Sequence, residues 1–168
     1  MTELDAVQKA RDYFLNEENV YGCAETTLLV LQEAYGLPRA LDASAAMVLN
    51  GGLAWSGGPC GALSGAALAV GRLAGQRIAD HRQAKTTARL IIACLMAEFQ
   101  DRHGACNCRE LIGLDITTEE GHARFIEGKL WHSICMDQIE FVIRNLVGLR
   151  DLRVWHEIVD KVQVEETA

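Results

Sequence analysis

The sequence predicts an all-α fold, a helical bundle of about seven to eight helices. Apolar residues recur at helical spacing along most of the 168-residue chain, whereas the alternation that marks β-strands is nearly absent. The chain has only two prolines, and both fall at predicted helix boundaries. At this length, and with 49% hydrophobic residues, the chain can bury a core without covalent staples. We therefore expect residues 1–168 to form a single domain.

Four helices are predicted in the first half of the chain. They cover residues 4–16, 23–34, 40–49 and 59/60–74. Glycine and proline end the second helix at residues 36–38, and an Asn-Gly-Gly turn ends the third at residues 50–52. In the fourth, Gly61, Gly65 and Ala69 form a stripe of small residues. Glycine inside a helix costs about 1 kcal/mol relative to alanine, so the stripe predicts that another backbone packs closely against it.

The second half begins with the longest predicted helix, residues 80–103, which Gly104 ends. A short turn over residues 107–112 follows. The sequence Thr117-Thr118-Glu119-Glu120 has the pattern of a capping box and predicts a helix that runs to residue 127. The last two predicted helices cover residues 133–146, with Ser133 as the N-cap, and residues 149–162.

Charge and targeting signals exclude several classes of function. The net charge is −7, from 16 basic and 23 acidic residues, and the scattered lysines and arginines argue against a nucleic-acid partner. The acidic N-terminus lacks the apolar segment of a signal peptide. The most apolar windows, residues 61–71 and 90–99, are about half the length of a membrane span. We therefore expect a cytoplasmic protein with no membrane insertion, whose six cysteines stay reduced and serve metal binding or redox chemistry.

Four cysteines recur where helices are predicted to begin: Cys23, Cys60, Cys108 and Cys135, here called the four-cysteine set. The positive end of a helix favours the thiolate over the thiol, which predicts lowered pKa values. The long gaps between them match no compact ligand motif, so a shared site requires four helix ends to converge at one end of the bundle. Four thiolates there would repel one another, and a bound metal would offset that repulsion.

Other residues are weaker candidates. Cys106 and His132, three residues before Cys135, are less favoured metal ligands, since a structural or surface role suits each better. Cys94 lies in an apolar helical stripe and is expected in the core. The glycine-rich loop over residues 51–58 lacks the Gly-Lys-Ser/Thr ending of a phosphate-binding loop. Its N–H groups are instead expected near whatever Cys60 holds.

From about residue 6 to residue 147, the chain resembles the C-GCAxxG-C-C family of four-cysteine proteins, which are described as redox-active. The resemblance lies in four segments: Gly22-Cys23-Ala24-Glu25, residues 51–65 with Cys60-Gly61-Ala62-Leu63-Ser64-Gly65, residues 108–113, and Cys135. It implies an all-α fold, the four-cysteine set as the functional residues, and an iron–sulfur centre. The chain departs from the family pattern at Cys106-Asn107-Cys108, at Trp131-His132 and in an extra C-terminal helix over residues 148–168. That helix is expected to cover the bundle or a second copy of the chain, as in a homodimer.

The first functional hypothesis is electron transfer or redox sensing through an iron–sulfur cluster or other metal on the four thiolates, with a redox protein as partner. Cysteine ligands suit zinc as well as iron–sulfur clusters. Two alternatives therefore remain open. One is a thiol–disulfide oxidoreductase that uses the same cysteines without metal, which would make the protein an enzyme. The other is a binding module with structural zinc.

Overall fold

The computed structural model describes residues 1–18 and 20–166, with side chains as far as residue 160. The described residues contain eight α-helices and no β-strand, which confirms the predicted all-α class. The helices are α1 (Glu3–Phe14), α2 (Cys23–Ala34), α3 (Gly61–Arg77), α4 (His81–His103), α5 (Cys108–Ile112), α6 (Glu119–Glu127), α7 (Met136–Leu146) and α8 (Leu152–Glu166). None of these helices is both long enough and apolar enough to cross a membrane.

Helix α2 is the central element of the bundle. It packs against α1, α3 and α7, and residues 26–32 are buried without interruption. A helix that is buried all round belongs to the interior. Its two ends are those that the sequence predicts. Because Cys23 is its first residue, the central helix carries one member of the four-cysteine set to the end of the bundle.

The small-residue stripe of α3 faces α2, as predicted. A Cβ atom built on Gly65 would overlap the carbonyl oxygen of Ala24. Ala66 and Ala69, on the same helix, are fully buried. The absence of side chains therefore lets the two helix backbones approach closely, which explains why α3 carries glycine in spite of its low helix propensity.

The predicted helix over residues 40–49 is wrong. Only a short 3₁₀ turn, Ser44–Ala46, forms there. The side-chain amide of Gln32 donates to the carbonyls of Ala40 (2.9 Å) and Asp42 (3.2 Å), which takes acceptors that a helix would use. The Asp42 carboxylate accepts from the Ser44 N–H at 3.0 Å and further favours a turn.

Later helix starts also differ from the predictions. Thr118, rather than Thr117, caps α6 by accepting the Gly121 N–H at 3.0 Å. Ser133 is not an N-cap, because it lies inside a π-helical turn (Trp131–Cys135) that continues into α7. The short turn predicted at residues 107–112 is helical from Cys108 onward, which confirms the expected helix start at that cysteine. The last helix begins at Leu152 after a 3₁₀ turn, and residues 167 and 168 of the predicted C-terminal segment lie outside the described residues.

Helix α8 covers the bundle through Trp155. The indole is 2% exposed, and the Arg77 guanidinium lies 5.2 Å from its ring centroid. The same guanidinium donates to the carbonyls of Leu149 (2.7 Å) and Arg150 (3.0 Å), which precede α8. Of the two surfaces that this helix was expected to cover, it therefore covers the bundle. A homodimer stays a prediction.

Candidate four-cysteine site

The four-cysteine set is carried to one region by four different elements. Cys23 opens α2, Cys60 immediately precedes α3, and Cys108 opens α5. Cys135 is the last residue of the π-helical turn before α7. Burial raises the pKa values of Cys60, Cys108 and Cys135, and negative charge on Cys23 raises each of them further. The four sulfurs are thus near enough for the charge on one to raise the pKa of another. Their role as ligands stays a prediction.

Main-chain hydrogen bonds join the two segments that carry Cys60 and Cys108. The Cys60 N–H donates to the carbonyl of Cys106 at 2.8 Å. The Cys108 N–H donates to the carbonyl of Gly58 at 2.7 Å. These reciprocal bonds pair the two segments in an antiparallel sense. The separation of the two cysteines is therefore set by the backbone.

Gly61, the residue after Cys60, makes room for the sulfur of Cys23. A Cβ atom built at position 61 would overlap the Cys23 Sγ atom. The φ angle of Gly61 is outside the left-handed region, so space, rather than backbone conformation, requires glycine here. The Cys-Gly-Ala element therefore positions two cysteines: Cys60 within the motif and Cys23 against it.

Asn50 organises the start of α2, and the sequence analysis treated it only as part of a turn. Its Oδ1 atom accepts the Ala24 N–H at 2.9 Å and the Cys23 thiol at 3.8 Å. Its Nδ2 group donates to the Glu25 carboxylate at 2.8 Å, and that carboxylate also accepts the Gly22 N–H at 2.9 Å. These bonds fix the loop before α3 to the helix that carries Cys23. An Asn-Gly pair is common in turns, so its sequence alone did not distinguish this role.

Gln138 is the second functional residue that sequence reasoning missed. Its Oε1 atom accepts the Cys60 thiol at 3.4 Å, and the side chain is 4% exposed. A signal was present, because Gln138 precedes buried Val142 by four residues and so lies on the apolar face of α7. A buried polar side chain needs a partner, and the Cys60 thiol supplies one.

The predicted lowering of the thiol pKa values is wrong for the protein without metal. Burial is the largest effect; it raises the pKa of Cys108 to about 12 and that of Cys135 well above its ordinary value. Burial also raises the pKa of Cys23, although the backbone N–H groups of Gly51, Ala24 and Gly61 act in the opposite direction. Removal of water from a thiolate therefore outweighs the favourable helix ends at Cys23, Cys60 and Cys108. The expectation that Cys135 also lies at a helix start is wrong, because the π-helical turn that contains it continues into α7.

The remaining candidates either have another hydrogen-bond partner or are exposed. The Cys106 thiol is half-buried and donates to the carbonyl of Met96 at 3.7 Å. His132 is exposed, with its ring 5.7 Å from that of Trp131. Cys94 is exposed on α4, so its predicted place in the core is wrong. Its neighbours Ile91 and Leu95 supply the buried face of that helix instead.

The loop beside Cys23 has an unusual backbone, here called the left-handed loop. Residues 51–55 all have positive φ angles, between 48° and 74°. Residues 53–55 carry side chains, for which this conformation costs about 1–2 kcal/mol each. A hydrogen bond from the Gly58 N–H to the Gly52 carbonyl (3.0 Å) helps to close the loop. Such strain is concentrated at functional sites, and here it places Trp55 near the cysteines.

A pocket of about 420 Å³, here called the sulfur pocket, opens beside the cysteines. Three thiols line it, together with two pairs of aromatic rings. The lining thiols and rings are Cys23, Cys108, Cys135, Phe14, Trp55, Phe125 and Trp131. The ring centroids of Phe14 and Trp131 are 5.9 Å apart, and those of Trp55 and Phe125 are 6.0 Å apart, with both pairs edge to face. Its size is that of a small-ligand pocket.

The donor chemistry of the site suits a soft metal centre. Four thiolates are the ligand set of iron–sulfur clusters and of structural zinc. Within the part of the chain that the structure describes, no group of three or more His, Cys, Asp or Glu side chains is arranged to hold a metal ion. The four cysteines therefore fit a metal centre by the chemistry of their sulfur atoms and not by a preformed geometry.

Fold and site together define an all-α protein built around four cysteines. Residues 21–147 match the family described as "Putative redox-active protein (C_GCAxxG_C_C)". The match covers more than half of the chain, so the chain belongs to this family and the resemblance seen in the sequence is confirmed. No curated protein and no solved structure matches the chain.

Proposed function

We propose that this protein performs electron transfer or redox sensing through an iron–sulfur cluster bound by Cys23, Cys60, Cys108 and Cys135. The observation that carries the proposal is the gathering of four thiols from distant parts of the chain into one largely buried site. A cluster on these residues supplies one-electron chemistry when bound. The redox description of the family supports the same assignment.

Electrostatics supports a metal centre over bare thiolates. Three of the four thiols are buried, and an unpaired buried charge carries a large desolvation cost. Four ionised sulfurs would also repel one another. Burial is the largest cause of the raised pKa of Cys135, and negative charge on the other three cysteines raises it further. A cationic centre removes both costs because it replaces the four protons.

The surroundings of Cys23 favour a sulfur that carries negative charge. The backbone N–H groups of Gly51, Ala24 and Gly61 lower its pKa against the larger effect of burial. N–H donors to ligand sulfur are one of the means by which proteins set the reduction potential of a cluster. The left-handed loop thus supplies one of these donors, Gly51, from its first residue.

Both alternatives receive less support. A thiol–disulfide oxidoreductase needs an accessible thiolate of low pKa, whereas burial raises the pKa values of Cys60, Cys108 and Cys135. Zinc needs four sulfurs around one ion at about 2.3 Å each. In a cluster the cysteines bind different iron atoms, so the sulfurs stand farther apart. Cysteine sulfur suits both centres, so it is the redox description of the family that favours the cluster over zinc.

Anaerobic purification tests the proposal directly. We expect coloured protein with visible charge-transfer absorption, and iron and acid-labile sulfide in comparable amounts. The absorption should bleach on reduction and return on reoxidation. A colourless protein with one zinc per chain would reject the cluster and support the zinc module.

Single cysteine substitutions provide matched controls. Cys60→Ser and Cys135→Ser should lose most of the bound iron, because each removes a ligand from a buried site. Cys94→Ser and Cys106→Ser should keep it, since Cys94 is exposed and the Cys106 thiol is directed to the Met96 carbonyl. Loss of iron in Cys106→Ser with retention in Cys60→Ser would show that the ligand set is different.

The state of the cysteines also bears on location and partners. All six are free thiols, which suits a reducing compartment. We therefore include a cytoplasmic location in the proposal, with a redox protein as partner. Fractionation of cells that produce the tagged protein tests the location.

A further inference from the structure

The mouth of the sulfur pocket is apolar and open to solvent. Five of its lining residues form an exposed apolar collar, with side chains 40–61% exposed. The collar consists of Val20, Met47, Val48, Trp55 and Ile126. Cys108 and Cys135, by contrast, are 7% and 6% exposed, so they form the floor. Exposed apolar residues that cluster around a cavity mark a binding site more strongly than scattered ones.

The lining has little charge to offer a ligand. Its described residues include no Lys, Arg or His. Among the described lining residues other than the cysteines, Glu25 alone is ionisable, and its carboxylate accepts hydrogen bonds from the Gly22 N–H and the Asn50 side chain.

Phosphate groups are recognised by cations or by clustered N–H donors. The N–H groups of Gly51, Ala24 and Gly61 act on the Cys23 sulfur, and the described lining residues offer no cation. The pocket therefore disfavours phosphorylated cofactors such as flavin or nicotinamide nucleotides.

The aromatic pairs indicate the shape of the ligand. Phe14 with Trp131 and Trp55 with Phe125 lie on different elements of the lining. Trp131 belongs to the π-helical turn that ends at Cys135, and Trp55 belongs to the left-handed loop. Irregular turns of both kinds are concentrated at functional sites. Flat ring systems gain most from contact with aromatic walls.

We propose that the sulfur pocket binds a small, neutral aromatic molecule between these rings and above the thiol floor. The pocket measures about 420 Å³, and because a cluster on its thiol floor would fill part of that volume, we expect a ligand of about two fused rings. The role of that molecule as substrate of the redox centre rests on the proposed function, whereas its binding does not.

Calorimetric titration of the protein as purified tests the binding. The probes are 2-naphthol, which is neutral and does not oxidise thiols, and 2-naphthyl phosphate, which places a charged group on the same ring. We expect 2-naphthol to bind at least about tenfold more tightly than the phosphate. Failure of 2-naphthol to bind, or tighter binding of the phosphate, would overturn the proposal.

A charge placed in the collar locates the site. Ile126→Lys should reduce the preference for the neutral probe by about fivefold or more, because an ammonium group at the mouth attracts the phosphate. Met96→Lys is the matched control, since Met96 is equally exposed (42%) but lies outside the pocket lining. Equal effects of the two substitutions would show that the probes bind elsewhere.

A second pair keeps the test independent of α6. Val48 belongs to the collar, so Val48→Lys should lower the preference for the neutral probe as Ile126→Lys does. Leu41 is similarly exposed but lies outside the pocket lining, so Leu41→Lys is the control. Thermal melts establish that each variant is folded. Iron content is measured on the same samples, so the two proposals fail separately: absent naphthol binding with iron present rejects only the ligand, and absent iron with binding intact rejects only the cluster.

Discussion

The sulfur of Cys23 occupies the space that a side chain at position 61 would fill. The four-cysteine site and the close approach of α2 and α3 therefore depend on the same short motif. Four residues later, Gly65 makes room for the carbonyl of Ala24. The motif therefore supplies space for the neighbouring helix as well as a thiol for the site.

Gly61→Ala should destabilise the protein by about 1–3 kcal/mol, because the added methyl group displaces the Cys23 sulfur. The bound metal should fall with it. Gly71→Ala, in the same helix, is the control: a Cβ there meets nothing within 4 Å, so it should stabilise α3 by about 0.5–1 kcal/mol. Urea unfolding and iron analysis of both variants measure these effects. Similar behaviour of the two alanines would contradict the steric account.

The buried thiols should react slowly with iodoacetamide once the metal is removed. A pKa of about 12 for Cys108, against an ordinary value of 9.0, lowers its thiolate fraction at neutral pH about a thousandfold. Exposed Cys94 should be labelled first, and labelling of the four-cysteine set should accelerate as pH rises. Mass spectrometry of labelled peptides follows each site. Rapid labelling of any member of the set at pH 6 would instead support the oxidoreductase.

The same pKa values set the pH dependence of stability without metal. The folded state raises the pKa values of Cys60, Cys108 and Cys135, so it holds those protons after the unfolded chain has lost them. The contribution of these three thiols to the free energy of unfolding should therefore be constant below about pH 8 and fall above about pH 9. Urea titrations at several pH values check the sign, and a rise in stability above pH 9 would contradict it.

At the scale of elements, the left-handed loop has a conformation that its own sequence opposes. Leu53, Ala54 and Trp55 all have positive φ angles, and residues with a Cβ enter this region at a cost. The loop persists because its main-chain hydrogen bonds and its contacts with neighbouring elements hold it. Trp55, for example, packs edge-on against His122 with ring centroids 4.7 Å apart.

Ala54→Gly should therefore stabilise the protein by about 0.5–1 kcal/mol, the difference between the relieved strain and the extra entropy of glycine. In an ordinary helix the same exchange has the opposite sign. Ala93→Gly, at an exposed position in α4, should cost about 1 kcal/mol. Chemical denaturation of the two variants gives both values. Destabilisation by Ala54→Gly would mean that the loop is not strained.

Helices with a regular pattern of apolar residues could be predicted from sequence. Elements whose conformation depends on residues elsewhere in the chain could not. Both ends of α2 follow from its own residues, since Gly22 precedes it and Gly36 ends its apolar pattern. The absence of a helix over residues 40–49 depends on Gln32 reaching across to Ala40 and Asp42. The π-helical turn before Cys135 likewise leaves no signature in a period of 3.6 residues.

At the scale of the whole molecule, the cysteine site and the anchor of α8 lie at opposite ends of α3. Cys60 precedes its first residue and Arg77 is its last, so about 25 Å of helix separates them. Arg77 holds the buried Trp155 of α8. A substitution at the α8 end of α3 should therefore change the free energy of unfolding without changing metal binding.

Trp155→Ala should cost about 3–5 kcal/mol, because it empties a fully buried position. Iron content per folded protein should remain unchanged. Val154→Ala, at the neighbouring 37% exposed position, should change stability by less than about 0.5 kcal/mol. Thermal unfolding with parallel iron analysis checks both. Loss of iron from folded Trp155→Ala would show that the two ends of α3 are coupled.

The candidate site was only partly accessible to sequence reasoning. The four cysteines stood out because each follows a helix-starting signal, as Cys23 follows Gly22. Asn50 and Gln138 acquire their roles only through partners distant in the chain, so spacing could not identify them. The thiol pKa values were predicted with the wrong sign, since the helix end is visible in sequence and the depth of burial is not.

The hydrogen bonds between the backbones around Cys60 and Cys108 have an evolutionary consequence. Amide and carbonyl groups are common to almost every amino acid, so a substitution at Asn107 leaves the pairing intact, whereas a Cβ at Gly58 would lie 3.0 Å from the Gly52 carbonyl oxygen. Relatives can therefore diversify their side chains around this half of the site while the distance between the two sulfurs is inherited unchanged. The other half, where Cys23 relies on Asn50 and Gly61, should tolerate far less drift.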